Sequence, residues 1–501
     1  MMYARLPGDS KIWVDPSTLA KVLCLIGYAF TWLVICAAFV VGIRGHSISI
    51  RAFYFSEYER HAYNIGVNLL TTVCNETMGY IHTVSLRWAL FNEGKLEFNS
   101  NLRLWSHARS SPANSRIANL ICFLGVVVSY SSGSIWLMQY DKDDNVSGKQ
   151  GCQAIVVPQA CIAYGIGLLM QAIVVSFSIP SALRAPTFSC SPLDTAAATV
   201  VHGMLQRRPG RCMMGLDQHK VAATPSRAVK RQKSLSTSHR AVQGVVYAAW
   251  AFVLLAIAWL AINAALVGHY PIGSIKAGFF KGTLNIKPSS FNIYRGRWIP
   301  EWAVVSESES DRFSPLVFAW VFSFVTALQI PLTLMTHLGE LVVNSHRDES
   351  TWRKAARQEG LRRESANPIA AIITSGSALA LFSFKAVIHA QFSDAVSIVF
   401  REFITMRTSG ILGLAIGSAL LSVFLTVLSI YGRKGPQPST FGHLQTLVDL
   451  IDEWPEKGNQ QMYWGHKTGG AVTPMKEEEY NFAGISITPP AQNIRIGELY
   501  S

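Results

Sequence analysis

The sequence predicts an all-α, polytopic membrane protein, a bundle of about eight transmembrane helices with both termini in the cytosol. Three observations carry this. Half of the 501 residues are hydrophobic and only 15% are charged, a balance typical of a chain solvated largely by lipid. Several apolar runs approach the roughly 20 residues that an α-helix needs to cross the hydrocarbon core. The net charge of +13 is concentrated in the short segments between those runs, where Lys and Arg fix orientation. That placement argues against nucleic acid as a partner, because a nucleic-acid interface needs its basic residues gathered on one soluble face.

The first span is read at 19–43, free of charge after Lys21. The second, at 62–86, is more polar: Asn64, Asn68, Thr71, Asn75 and His82 fall within roughly 60° of one another on a helix, with Glu76 off to the side. It is read as a span whose polar stripe faces the bundle, against the alternative of an amphipathic helix lying in the membrane plane. Spans three and four are read at 117–139 and 157–180. Their small residues Ser131, Ser134, Gly165 and Gly167 permit close helix approach. Spans five to eight are read at 243–267, 315–348, 368–392 and 410–431. Gly413 and Gly417 form a GxxxG pair in the last of these.

Four regions follow: an N-terminal membrane region (1–182), a basic cytosolic loop (183–241), a C-terminal membrane region (242–431) and a cytosolic tail (432–501). The basic loop carries RRPGR (207–211) and RAVKRQK (227–233). Its run 193–206 is read as a short helix on the membrane surface, with the basic residues drawn to anionic lipid. In the tail, Leu444, Leu447, Val448 and Ile451 share one face, with Asp449, Asp452 and Glu453 off it. An acidic amphipathic helix suits a protein partner better than an anionic bilayer. The last forty residues read as flexible. Orientation then places the clusters at 95–116, 207–240 and 347–363 inside, as the positive-inside rule requires.

The most informative stretch is 315–348. Thr326, Gln329, Thr333, His337, Glu340 and Asn344 recur at steps of three or four, inside an arc of roughly 80°, so one helical face is polar. Pro331 within it predicts a kink. Ionisable groups at membrane depth cost about 2.5–3.5 kcal/mol each on insertion scales unless they pair, meet water or snorkel. Glu76, His82, His337, Glu340, Lys385 and His389 are such groups. A triad of Glu340, His337 and Lys385 meets that demand and makes a proton or ion path; the competing reading has them snorkelling at the headgroup level. Together with Asn68, Asn75 and Gln329 they define a candidate intramembrane polar pathway.

No phosphate loop, GxSxG or HExxH motif is present, so neither a catalytic residue nor a cofactor is predicted. His346-Arg347-Asp348 lacks the companion motifs of a kinase. Asp141, Asp143 and Asp144 read as a solvated turn, and His337-x-x-Glu340 lacks the second pair of a di-metal bundle. The eight cysteines show no CxxC spacing; Cys152 and Cys161 are the one pair considered for a disulfide. Asn145-Val146-Ser147 is an N-glycosylation sequon on an outer loop, whereas Asn75-Glu76-Thr77 is buried in a span and unmodified. Ser234, after Arg231-Gln232-Lys233, fits a basophilic phosphorylation site.

Four segments, NLLTTVCNETMGYIHTVSLRWALFNEGKLEFNSNLRLWSHARSS (68–111), HLGELVVNSHRDESTWRKA (337–355), FKAVIH (384–389) and GPQPSTFGHLQTLVDLIDEWPEKG (435–458), resemble a group of uncharacterised multi-pass membrane proteins of filamentous fungi. The resemblance implies a shared multi-span architecture and brings no assigned activity; the apolar spans themselves place the chain in a membrane, plasma membrane or endomembrane. Three functions remain: a transporter-like or channel-like protein using spans two, six and seven; a membrane scaffold or sensor that recruits cytosolic partners through its basic loop and tail helix; and, third, a membrane-embedded enzyme. Transport predicts a continuous polar cavity past Asn68, Asn75, Gln329 and Lys385; a scaffold predicts a dry bundle.

Overall fold

The computed structural model describes residues 17–47, 53–55, 57–103, 105–140, 152–269, 275–280, 282–293, 297–306, 315–362, 368–399, 402–455, 460–467, 480–490 and 492–501. It is mainly helical. The helices are α1 (Thr18–Ser47), α2 (Glu57–Asn92), α3 (Arg116–Ser134), α4 (Pro158–Leu183), α5 (Pro192–Val201), α6 (Leu235–Ser238), α7 (Arg240–His269), α8 (Pro315–Trp352), α9 (Pro368–Thr374), α10 (Gly376–Ala395), α11 (Thr408–Ile430) and α12 (Leu444–Leu450).

Six stretches among the described residues are long and apolar enough to cross a membrane: Thr18–Gly45, Arg116–Ser134, Pro158–Leu183, Arg240–Ala265, Phe318–Ala356 and Thr408–Ile430. Their outer faces are apolar, with Leu33 of α1 69% exposed and Leu254 of α7 66% exposed, which in a chain of this composition is a lipid-facing surface. The polar helices α2 and α10 lie inside, packed against each other and against α4 and α11 respectively. Their buried polar side chains lower their hydropathy, and partners within the protein satisfy them. The helix α8 runs unbroken through Pro331.

The connections differ from an all-α expectation. Strands β1 (Phe53–Phe55), β2 (Leu137–Tyr140), β3 (Cys152–Val156), β5 (Ile275–Phe280), β6 (Gly282–Ile293), β7 (Arg297–Ser306), β9 (Val396–Val399) and β10 (Glu402–Arg407) join into one sheet of order β1-β3-β2-β9-β10-β7-β6-β5. Those strands come from the α1–α2, α3–α4, α7–α8 and α10–α11 connections, so these four lie at one end of the bundle. The other connections and the tail gather at the opposite end, through β4 (Ser226–Arg227) paired with β13 (Leu499–Tyr500), and β8 (Leu361–Arg362) paired with β11 (Gln461–Lys467) beside β12 (Phe482–Ser486). Among the described residues eight long helices thus alternate in direction between a sheet end and a loop-and-tail end.

Several expectations are corrected at the loop-and-tail end. The predicted helix at 368–392 is two, because Ser375 accepts from the Ala378 N–H and starts α10 afresh after α9. The helix expected on the membrane surface, α5, is buried and packs on α12. Leu444, Leu447, Val448 and Ile451 are fully buried, so the tail helix docks within its own chain. Asp449 there binds Arg208 at 2.6 Å and Arg211 at 3.4 Å, so two RRPGR arginines have a partner within the chain. His443 caps α12, its Nδ1 accepting from the Thr446 N–H, and burial pushes its pKa down to about 3. Described parts of the last forty residues form β11, β12 and β13 rather than a flexible end, since their apolar side chains, such as Met462, Trp464 and Ile485, fill a core with α12.

Gly125 and Gly167 set a close helix crossing. A Cβ on Gly167 would come within 2.7 Å of the Ser129 nitrogen and 2.9 Å of the Gly125 oxygen, so α3 and α4 meet backbone to backbone. Gly66 of α2 has nothing within 4 Å of a Cβ. Gly167→Ala is therefore expected to destabilise by about 1–3 kcal/mol through forced separation of the pair, while Gly66→Ala is neutral or stabilising because it only removes helix-opposing backbone freedom. Thermal unfolding of detergent-solubilised protein reads both. Cys161, in the first turn of α4, is a buried free thiol, so the pairing considered with Cys152 is not made.

Candidate functional site

The polar stripe of α2 is used helix by helix along its length. Near the sheet end Asn64 donates to Asp394 of α10 at 2.9 Å, and His61 lies 2.9 Å from the same carboxylate. One turn on, Asn68 donates to Ser393, which sits 3.0 Å from Ser134 of α3. Thr71 and Thr72 meet the hydroxyls of Tyr164 and Tyr130. Asn75 accepts from Gln171 of α4 at 2.8 Å and is fully buried, as befits a sequon inside a helix. His82 bonds the Ala113 carbonyl at 3.0 Å; it fastens the α2–α3 connection and stands apart from the charged cluster.

The polar face of α8 is less complete. Gln329 is hydrogen-bonded to His389 of α10, whose ring stacks on Tyr130 with centroids 3.6 Å apart. Yet Thr326 Oγ1, Gln329 Oε1, Thr333 Oγ1, His337 Nε2, His389 Nε2 and Asn68 Oδ1 are all buried without a hydrogen-bond partner among the described residues. Buried polar atoms in native proteins are nearly always satisfied. A column of six such atoms between α2, α8 and α10 is what water or a polar solute would complete.

Below this column the charges converge. Lys385 Nζ donates to Glu76 of α2 and, at 2.5 Å, to Glu340 of α8; Glu340 is also 2.7 Å from His337 Nδ1. Glu340, His337 and Lys385 come together, and Glu76, which lies off the stripe of α2, is the fourth member. The lysine side chain is 2% exposed, against 28% and 29% for the carboxylates, so the ammonium is the deep partner and the carboxylates form the wall. The ligand atoms of Glu76, His337 and Glu340 lie within 4.8 Å of one another, a spacing that suits a metal ion. The ammonium already stands between the two carboxylates, so the cluster is an ion pair complete in itself.

The carboxylates face a cavity of about 200 Å³ at the loop-and-tail end. Besides Glu76, Glu340 and Lys385, its walls carry Arg87, Arg103, Arg347, Asn101, Asn344 and Tyr80, with apolar residues of α1, α9 and α10 on one side. A second space of about 20 Å³, enough for one water, lies between Arg103, Asn344, Glu340 and His337. The cavity stops at Lys385. Asn68, Asn75 and Gln329 beyond it are fully buried. Sequence reasoning did not single out Arg103 or Arg347; only the fold brings the 95–116 segment against α2 and α8.

Outside the bundle, Ser234 precedes α6, its hydroxyl within 3.1 Å of Ser236 and 3.2 Å of Thr237. Asn145 and Asp141, Asp143 and Asp144 lie outside the described residues. The fold and its apolar helices define a multi-pass integral membrane protein. Comparisons with protein-family models, curated proteins and solved structures give no match, so the chemistry has to be argued from these residues alone.

Proposed function

We propose that this protein is a carrier or gated channel, with the Lys385, Glu76 and Glu340 cluster as the barrier between an open vestibule and a closed polar column. The observation that carries the reading is the set of six unsatisfied polar atoms buried beyond the cluster, closed off from a cavity that ends at Lys385. A bundle serving only as a scaffold gains nothing from leaving them unpaired, since each costs about 1–3 kcal/mol when dry. In this reading all eight long helices cross the bilayer, both termini and the cavity face the cytosol, and the sheet end faces out, as the excess of Lys and Arg in the connections favours. Membership of the fungal multi-pass group, glycosylation at Asn145, phosphorylation at Ser234 and attraction of the basic segment to anionic lipid belong to the same proposal.

A second reading has support of its own. The basic loop and the tail fold together through Asp449 and its arginines, and the column is sealed from the cavity, as a sensor that signals through a cytosolic face would have it. Accessibility separates the two. In a background with the native cysteines replaced, Asn344→Cys and Gln329→Cys are probed with a membrane-impermeant maleimide from each side of sealed vesicles. A carrier or channel labels Asn344→Cys from the cavity side, and Gln329→Cys from both sides in a fraction of molecules. Complete protection of Gln329→Cys from both sides removes the transport reading and leaves the sensor.

A further inference from the structure

The cavity carries more positive charge than its own residues neutralise. Four cationic side chains line it, Arg87, Arg103, Arg347 and Lys385, against the carboxylates of Glu76 and Glu340, and both carboxylates are committed to Lys385. Arg347 has one contact with Asp348 at 3.3 Å, an acid that also serves Asn99. Arg87 is 3% exposed; its Nη1 donates to the Ser189 carbonyl at 2.8 Å and to Thr195, neutral partners that leave its charge uncompensated. Arg103 makes no hydrogen bond or ion pair among the described residues. It packs directly on α2: a Cβ on Gly79 would come within 2.1 Å of the Arg103 Nη1 atom, so the guanidinium rests against the helix backbone where a glycine stands. Fixed guanidinium groups in a partly desolvated recess are receptors for carboxylate or phosphate oxygens.

The rest of the lining is of a different character. Leu23 of α1, Ile369 and Ile372 of α9, and Leu381 and Phe382 of α10 form its apolar side. The helix α1 packs on α2 and α4, and α9 packs on α10, with no extensive packing of α1 on α9 or α10 among the described residues. The cavity therefore has a flank between two lipid-facing elements, where Ile26 and Ile373 are exposed. Its volume of about 200 Å³ falls below the ~300–1,000 Å³ of pockets that enclose a whole ligand. That volume suits a headgroup rather than a whole amphiphile.

We propose that this cavity binds an anionic amphiphile, a single carboxylate or phosphate head held by Arg103 and Arg347, with its hydrocarbon leaving between α1 and α9 into the bilayer. Binding at equilibrium does not depend on transport, so this proposal and the carrier reading stand or fall on separate measurements. Full-length protein in an uncharged detergent is titrated with oleate, oleoyl lysophosphatidate, monoolein and inorganic phosphate, with the shift in unfolding temperature as readout. Oleate, lysophosphatidate or both are expected to raise it saturably, and the preferred head identifies the source. Arg103→Ala weakens that binding by about tenfold or more, as loss of a charge-assisted pair does, and Arg103→Lys recovers part of it. Gly79→Val, which displaces the guanidinium without removing it, weakens it as well. If Arg103→Ala folds poorly, Arg103→Gln carries the same test. Equal binding of monoolein overturns the proposal in favour of a purely apolar groove. So does an equal response to inorganic phosphate alone, or undiminished oleate and lysophosphatidate binding by the Arg103 variants.

Discussion

Changing Glu76 and Glu340 together to glutamine is expected to cost about 3–5 kcal/mol, well beyond the sum of about 1 kcal/mol from each single change. Lys385 is 2% exposed and is held by both carboxylates. Either carboxylate alone still gives the ammonium a charged partner, whereas losing both strands a cation in a low-dielectric interior. Adding Lys385→Met to the double variant then restores most of the loss, because no uncompensated charge remains. Thermal aggregation of detergent-solubilised variants measures all three differences. Simple additivity of the single effects would mean that the cluster is not a coupled unit and that the carboxylates are adequately solvated by the cavity. The Lys385→Met single variant is expected to be milder than the double glutamine variant, since the carboxylates it leaves reach water.

Glu349→Ala is the second large effect, and it acts at the junction of α8 with the tail. The Glu349 side chain is fully buried. One oxygen accepts from the Thr440 and Phe441 N–H groups at 2.8 and 2.9 Å, and the other binds Arg353 at 2.7 Å. Phe441 holds a positive φ of 47°, an uncommon conformation for a bulky residue that its surroundings must stabilise. Removing the carboxylate orphans two backbone donors and takes from Arg353 its charged partner, leaving it the Lys434 carbonyl and the Ser439 hydroxyl, at a cost of about 3–5 kcal/mol. The tail is expected to come loose while the membrane helices stay folded. Limited proteolysis should therefore cut within 436–443 in Glu349→Ala but spare it in the parent. Unchanged protection would show that the apolar docking of α12 suffices without the clamp.

How much of this was legible in the sequence depended on whether the signal was local. The polar face of α8 follows from its period, and the meeting of Lys385 with Glu340 follows from the cost of an unpaired charge in hydrocarbon. Glu76 lies off the asparagine stripe, so it belongs to the candidate pathway without a partner that the period assigns it, but a helix packed on several others touches each of them. The stripe serves α3, α4 and the far end of α10, and Glu76 serves the middle of α10. Arg103 carried no periodic signal, since its position depends on a loop folding back on Gly79. The break at Ser375 is a serine cap that stands between two apolar runs, and the apolar pattern alone reads straight through it. Least legible were the strands, because pairing between connections far apart in sequence leaves no pattern in any single one. The same holds for the tail, where segments read as flexible alone acquire a core in company.

The sheet also has a biosynthetic consequence. Its order divides at one seam: β1, β3 and β2 come from the first half of the chain, the rest from the second, and β2 meets β9 in parallel through Met138 with Ile398. About 260 residues separate those partners, which at roughly 5–20 residues per second is about 13–50 s of synthesis. Through that interval the emerging first half has an exposed strand edge and a Glu76 whose lysine has yet to be made. Insertion of the early helices and completion of their interior are thus separate events in time, and a nascent chain stalled before residue 385 is a natural substrate for whatever machinery shelters unfinished membrane proteins.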